Sequence, residues 1–224
     1  TNANDEFITI NEKPTPGQYI RRAGLDFSAG VDQLLPGRFL RVRDIGLAAA
    51  MNHPWVSVRR RPLITILATG DEIVRPGEPL SQNQIVSSNS ICLKAFVENC
   101  GATGINLGIA NDDTLALDRM IGGAIGSDLL ITTGGISVGD YDLVRQALVS
   151  KGLTVDFWKV AMRPGKPVMF GKLGQVPVLG LPGNPVSALV CSLIFVKPII
   201  EKLLGIVEPN IGKSYATLTT PPPA

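Results

Sequence analysis

A chain of 224 residues, 45% apolar and 5% aromatic, is long enough to bury a substantial core as one large domain with an appendage. Its net charge of +2, with no basic block beyond Arg59-Arg60-Arg61, excludes a nucleic-acid or membrane surface built on charge. Cys92, Cys100 and Cys191 are odd in number and lack C-x-x-C spacing, which excludes a disulfide framework or a zinc knuckle and fits a reducing cytosol.

Residues 1 to about 60 carry short strand-like pieces, Tyr19-Ile20-Arg21 and Phe39-Leu40, turns at Pro16-Gly17 and Pro36-Gly37, and one short helix over Val42 to Met51. None of these closes a domain by itself. The single histidine, His53, sits in the turn-like Asn52-His53-Pro54 and reads as an ordinary solvated side chain.

From Leu63 onward, strand-like runs alternate with helical patterns, the signature of βαβ units and a mostly parallel sheet. Leu63 to Ala68 reads as a buried strand. Ser88-Asn89 offers a helix cap, Leu93, Phe96, Val97 and Cys100 share one helical face, and Gly101 ends it. Gly104 to Ala110 is the next strand, a helix runs from Asp113 or Thr114 to about Ile125, and Asp128 to Thr133 is a third strand. Tyr141 to Ser150 reads as a helix. Strands follow at Val155 to Ala161, Pro167 to Gly171 and Val176 to Leu181, before a long final helix. The apolar run from Val186 to Leu204 is broken by Lys197, Pro198 and Glu201, and the start lacks a basic-then-apolar pattern, so neither a membrane span nor export is expected.

In open α/β sheets ligands bind beyond the carboxyl ends of strands, which directs attention to the segments after Leu67, Ala110, Thr133 and Leu181. Thr69-Gly70-Asp71-Glu72 follows the first strand and Asn111-Asp112-Asp113 the second; Asp113 serves as a helix cap, whereas Asp112 has no such structural duty. The third segment, TTGGISVGDYD, contains Gly135-Ile136-Ser137-Val138-Gly139, a formal nucleophile elbow. An elbow serine needs a histidine later in the chain, and the only histidine precedes it, so Ser137 is a poor nucleophile. Gly134 and Gly135 instead let the chain turn off the strand and gather free amides that suit an anion. Asp140 and Asp142 lie beside them. Carboxylates next to an anion call for a bridging cation, for which Mg²⁺ has the right ligand chemistry, while helix capping by Asp140 is the plain alternative.

Arg163-Pro164-Gly165-Lys166 has proline and glycine at the centres of a type II turn, which brings its ends within about 7 Å so that Arg163 and Lys166 converge. Leu181-Pro182-Gly183-Asn184-Pro185 leads into a helix with Asn184 as cap and Pro185 at the first helical position, leaving the amides of Val186 and Ser187, with the Ser187 hydroxyl, free for an oxyanion.

The ordered set TGDE, SSN, NDD, TTGGISVGDYD, MRPGKP and GLPGNPVSA resembles the molybdopterin molybdenumtransferase (MoeA) family, including the related domain of gephyrin, over about residues 63 to 205. Residues 14 to 60, with GQYIRRAGLDFSAG, are similar to the segment that leads into that domain. The resemblance implies an α/β three-layer sandwich with a mostly parallel sheet over 62–207, a small partial N-terminal α+β segment over 1–61, and a linker over 208–224 toward a β domain not present in this chain. It also implies insertion of molybdate into adenylylated molybdopterin with release of AMP, in a cytoplasmic homodimer that works with other enzymes of molybdenum cofactor synthesis. Glu72, Asp112 and Asp142 match acidic catalytic and metal positions, with Mg²⁺ the expected cation. Arg163 and Lys166 match cations on the molybdate side, the first often a lysine in relatives. Gly134, Gly135, Ser137, Pro182, Asn184, Pro185 and Ser187 match substrate-binding positions in the same cleft. Molybdopterin adenylyltransferases and CinA-like proteins share the fold, and a gephyrin-like binding scaffold is the reading from another class; the PGKP and LPGNP loops favour the molybdenumtransferase.

Overall fold

The computed structural model describes residues 2–3, 6–111, 114–134, 148–207, 217 and 219. The chain divides into two compact units, Thr1–Ser57 and Val58–Ala224. In the first, strands β1 (Asn2–Ala3) and β2 (Ile8–Thr9) pair antiparallel and helix α1 spans Val42–Ala50. Asp44 starts that helix: its carboxylate accepts from the Arg41 N–H at 2.8 Å and from Arg38 Nη2 at 2.6 Å. The Arg38 guanidinium, with the Arg41 N–H second, holds the Asp44 carboxyl below the usual carboxylate range. The expected strand pieces Tyr19-Ile20-Arg21 and Phe39-Leu40 are irregular chain; Tyr19 adopts φ +61°, a turn conformation rather than an extended one.

The second unit holds β3 (Leu63–Thr69), β4 (Ile73–Val74), β5 (Ile85–Val86), β6 (Thr103–Ala110), β7 (Leu129–Thr133), β8 (Leu153–Trp158), β9 (Met169–Leu173) and β10 (Val176–Leu181). Helices α2 (Asn89–Asn99), α3 (Thr114–Gly122), α4 (Pro185–Cys191) and α5 (Lys197–Leu203) accompany them. Six strands form one sheet in the order β6-β3-β7-β10-β9-β8, the first four mutually parallel and the last two antiparallel additions.

Period-two alternation along the strands makes the sheet a middle layer. Ile64 and Ile66 of β3, Leu129 and Ile131 of β7, and Leu179 and Leu181 of β10 pack with Leu93 and Val97 of α2 and Ile200 of α5. Leu67, Leu130 and Val178, one residue out of phase, pack with Leu117 and Ile121 of α3 on the opposite face. Helices cover both faces, as the three-layer expectation required.

Differences at element ends have local causes. The helix expected to reach Ile125 stops at Gly122, where Gly122-Gly123 gives way to i→i−3 turn bonds. The strand expected to reach Ala161 stops at Trp158, because Lys159 turns the chain at φ +76°. The final helix is not uniform: a π-helical stretch, Ser192–Val196, separates α4 from α5. Pro198 has no N–H to donate one turn back, and Ser192 Oγ bonds the Ala188 carbonyl at 2.7 Å; both loosen the regular ladder there. Residues 148–150 are helical; the rest of the helix expected from Tyr141 lies outside the described residues.

Candidate functional site

Because β3, β6, β7 and β10 run parallel, their carboxyl ends share one edge of the sheet. The antiparallel additions extend this edge. Trp158 pairs with Met169, Met169 with Gly180, Gly180 with Thr132 and Thr132 with Leu67, so the β8–β9 connection carrying Arg163 and Lys166 leaves from the same edge.

A cleft of about 240 Å³ opens at this edge, lined by Thr69, Glu72, Ser88, Asn89, Gly134 and Pro185 among others. The strand ends are drawn together around it. Gly134 takes φ +83°, and a Cβ there would overlap the Thr69 carbonyl, so only glycine lets the turn after β7 close onto β3. Gly70 takes φ +138°, a conformation that favours glycine, and the Glu72 carboxylate folds back over it, so a side chain there would push that carboxylate aside. The loop that carries Glu72 is pinned as a small parallel pair: the Ile85 N–H donates to the Glu72 carbonyl and the Ser87 N–H to the Val74 carbonyl, both at 2.8 Å.

On the other side of the cleft, Asn89 Nδ2 donates to Thr133 Oγ1 at 3.0 Å and to the Gly183 carbonyl at 2.8 Å, and Thr133 Oγ1 donates to the Pro182 carbonyl at 3.3 Å. Asn184 caps α4 by accepting from the Ser187 N–H at 3.1 Å, with Pro185 at the first helical position as expected. The Ser187 N–H is therefore not free, contrary to expectation, and its hydroxyl is also directed to Asn184 at 3.3 Å. The short side chain of the cap reaches both groups, and an incoming anion would have to displace it.

Of the residues singled out from sequence, the cleft brings together Glu72, Gly134 and Pro185, with Pro182, Asn184 and Ser187 on the loop that forms its wall. Arg163 and Lys166 are exposed and do not line it. Their turn also differs from type II. The Arg163–Pro164 bond is cis, and the connection is closed by the Val160 N–H donating to the Lys166 carbonyl at 3.0 Å, with no bond from the Lys166 N–H to the Arg163 carbonyl among the described residues. Asp112, Gly135, Ser137, Asp140 and Asp142 lie outside the described residues, as does the cap Asp113. His53 is exposed, as expected of a solvated histidine.

The donor chemistry of the cleft suits a hard cation. Glu72 offers a carboxylate, and Thr69 Oγ1 is buried without a hydrogen-bond partner among the described residues. Mg²⁺ is commonly held by one or two carboxylates plus substrate oxygens. Among the described residues no three His, Cys, Asp or Glu side chains cluster as a metal cage. A larger hollow of about 300 Å³ lies within the first unit, lined by Leu34, Ala48, His53 and Trp55 among others, but its one carboxylate, Asp44, is committed to Arg38 and Arg41. With that carboxylate committed, the strand-end cleft is the better candidate.

Sequence comparison decides the family: the model described as "Probable molybdopterin binding domain" matches residues 65–202, which include the main sheet from β3 to β10 except the first two residues of β3. The chain belongs to this molybdopterin-binding domain family. Among curated relatives, molybdopterin molybdenumtransferase 2 of Mycobacterium tuberculosis is 38% identical over 98% of this chain and 56% of its own length. The molybdopterin molybdenumtransferase of Nostoc sp. is 42% identical over 90% of this chain and 47% of its own. The chain thus spans about half the length of the curated relatives it matches. Among solved structures, a molybdopterin biosynthesis MoeA protein from Pyrococcus horikoshii superposes with a TM-score of 0.69 at 32% identity, covering 76% of this chain and 42% of that one. The α/β fold with a mostly parallel sheet is common to both.

No described helix is long and apolar enough to cross a membrane. Thr69, Ser87, Asn89, Thr133 and Gly183 were not singled out as site residues from sequence. The signal for them was present in the quoted stretches TGDE, SSN, TTGGISVGDYD and GLPGNPVSA, which contain all five, and in their position near a parallel strand's carboxyl end or the cap of α2.

Proposed function

We propose that the strand-end cleft is the part of a molybdopterin molybdenumtransferase in which molybdate is inserted into adenylylated molybdopterin with release of AMP. The observation that carries this reading is the convergence of Glu72, Asn89, Gly134 and Pro185 on one cleft inside the family match. The names of the Mycobacterium and Nostoc relatives support the choice of molybdenumtransferase over adenylyltransferase or scaffold.

In this reading Glu72, with Asp112 and Asp142 from the segments that follow β6 and β7 in sequence, would hold Mg²⁺ at the phosphate end of the substrate. Bound there, Mg²⁺ would neutralise charge on the phosphates while the bond to the adenylate breaks. Gly134 and Gly135 bring main-chain amides close to the anionic substrate, and Ser137 contributes a hydroxyl rather than a nucleophile. Arg163 and Lys166 supply the positive charge that a doubly charged molybdate requires; the arginine's planar fork offers two parallel donors where a lysine gives one point charge. Ser187 turns from Asn184 to the oxyanion when it arrives. The working unit is a homodimer in the cytoplasm, acting with other enzymes of molybdenum cofactor synthesis.

The test is molybdate-dependent AMP release, measured with this domain in its whole enzyme. Asp142→Asn and Lys166→Ala should each lower the rate at least about a hundredfold, the scale of losing one group that meets transition-state charge. Both variants turning over at the parental rate would contradict the assignment.

A further inference from the structure

Asn89 is the first residue of α2, yet its side chain does not serve that helix. Ser88 holds the cap position without a side-chain capping bond, and Asn89 Nδ2 reaches across to two other strand ends. Its partners Thr133 and Gly183 lie 44 and 94 residues away in sequence. Thr133, bonded to Asn89, donates its own hydroxyl hydrogen bond to the Pro182 carbonyl. Two successive carbonyls of the loop between β10 and α4 are thereby held, directly or through Thr133, by one amide group. Asn184, the next residue, caps α4 and holds Ser187. Asn89 also lines the cleft together with Glu72, Gly134, Gly183 and Pro185.

We infer that Asn89 is a positioning residue: it clamps the Pro182–Ser187 loop against the end of β7 and so sets the cleft for its ligand. No other side-chain hydrogen bond among the described residues joins this loop to α2 or to β7 beyond the Asn89–Thr133 relay. Without the amide, the loop keeps its internal cap and the Thr133–Pro182 bond but loses the tie at Gly183 that fixes its distance from α2 and the Glu72 side of the cleft. The inference rests on the reading of this cleft as the substrate site only for the identity of the ligand.

Hydrogen exchange followed by mass spectrometry separates the two. In Asn89→Ala, and in the near-isosteric Asn89→Asp, which cannot donate to the Gly183 carbonyl when ionised, amides of the peptide covering residues 183–188 should exchange at least about tenfold faster. The peptide over β3 should exchange as in the parent, and the melting temperature should fall by no more than a few degrees. AMP, titrated calorimetrically, should bind about tenfold more weakly to the variants, equivalent to about 1.4 kcal/mol, as expected for one or two lost hydrogen bonds. A residue with a stability role alone would lower the melting temperature and leave AMP affinity of the folded protein as it was. Unchanged exchange over 183–188 in both variants, or faster exchange with AMP affinity unaltered, would overturn the clamp. Failure of the parent to bind AMP, with exchange still faster in the variants, would instead overturn the ligand assignment and leave the clamp supported.

Discussion

At the scale of single residues, Gly134 and Thr132 make opposite demands on one strand end. Gly134 combines φ +83° with a backbone contact to the Thr69 carbonyl that excludes a Cβ, so Gly134→Ala should cost about 1–3 kcal/mol. In a protein of this size that lowers the melting temperature by several degrees, and calorimetry would read it. Thr132 is fully buried, and its hydroxyl has no partner among the described residues, a state that costs about 1–3 kcal/mol of desolvation. Thr132→Val keeps the branched shape and removes that burden, so the melting temperature should hold or rise. Thr65 is equally buried but shares a hydrogen bond with the Ser127 hydroxyl, and Thr65→Val should lower it. A drop in Thr132→Val as large as in Thr65→Val would mean that the Thr132 hydroxyl is satisfied. Thr69, at the carboxyl end of β3, is also buried with an unpartnered hydroxyl among the described residues, but it lines the cleft and is placed to meet a ligand.

At the scale of elements, β3 is fastened at its start as tightly as at its end. Asp128, just ahead of β7, accepts both Arg60 Nη1 and Nη2 at 2.7 Å and the Leu63 N–H at 2.7 Å. The Arg60 guanidinium is the chief reason the Asp128 carboxyl lies below its ordinary value, followed by the opposing effect of burial and then the Leu63 N–H. A carboxyl whose pKa is depressed by folding stabilises the protein above the unfolded value near 3.9, and that contribution is lost as pH falls through the folded value. Melting temperature should therefore fall below about pH 4, and Asp128→Asn should flatten part of that fall, with Asp44 contributing a further part. Arg60 is largely exposed, so salt should weaken the Asp128 contribution. Superimposable acid profiles for parent and Asp128→Asn would remove this clip from the account of stability.

The parallel core was legible at this scale because buried strands announce themselves: Leu63–Thr69 and Leu129–Thr133 are unbroken apolar or β-branched runs flanked by turn residues. What escaped was local. A left-handed Lys159 ends β8 early, and a proline one turn further on than the loosened ladder splits the final helix; neither alters hydrophobic periodicity. The site was half legible for a similar reason. Charged and glycine-rich loops such as Thr69–Glu72 stand out in a sequence. The Asn89–Thr133 relay does not, because it joins two ordinary polar residues 44 positions apart through a geometry that only the sheet order creates.

At the scale of the whole molecule, the second unit is a sheet whose parallel strands place chemically distinct loops on one edge, with Glu72 and Gly134 in the cleft and the Arg163–Lys166 connection leaving the same edge. That division suits a substrate with a phosphate end and a separate oxyanion. Lys166 and Arg163 stand clear of the cleft and unpaired among the described residues, so a ligand bridging both regions has to meet free positive charge. The direct measurement is a crystal structure of the protein soaked with molybdate and Mg²⁺, with anomalous data recorded at the molybdenum edge. An anomalous peak bounded by Arg163, Lys166 and Ser187, separate from the Glu72 side of the cleft, is the predicted result. A peak elsewhere, or none at saturating molybdate, would contradict the placement of the oxyanion.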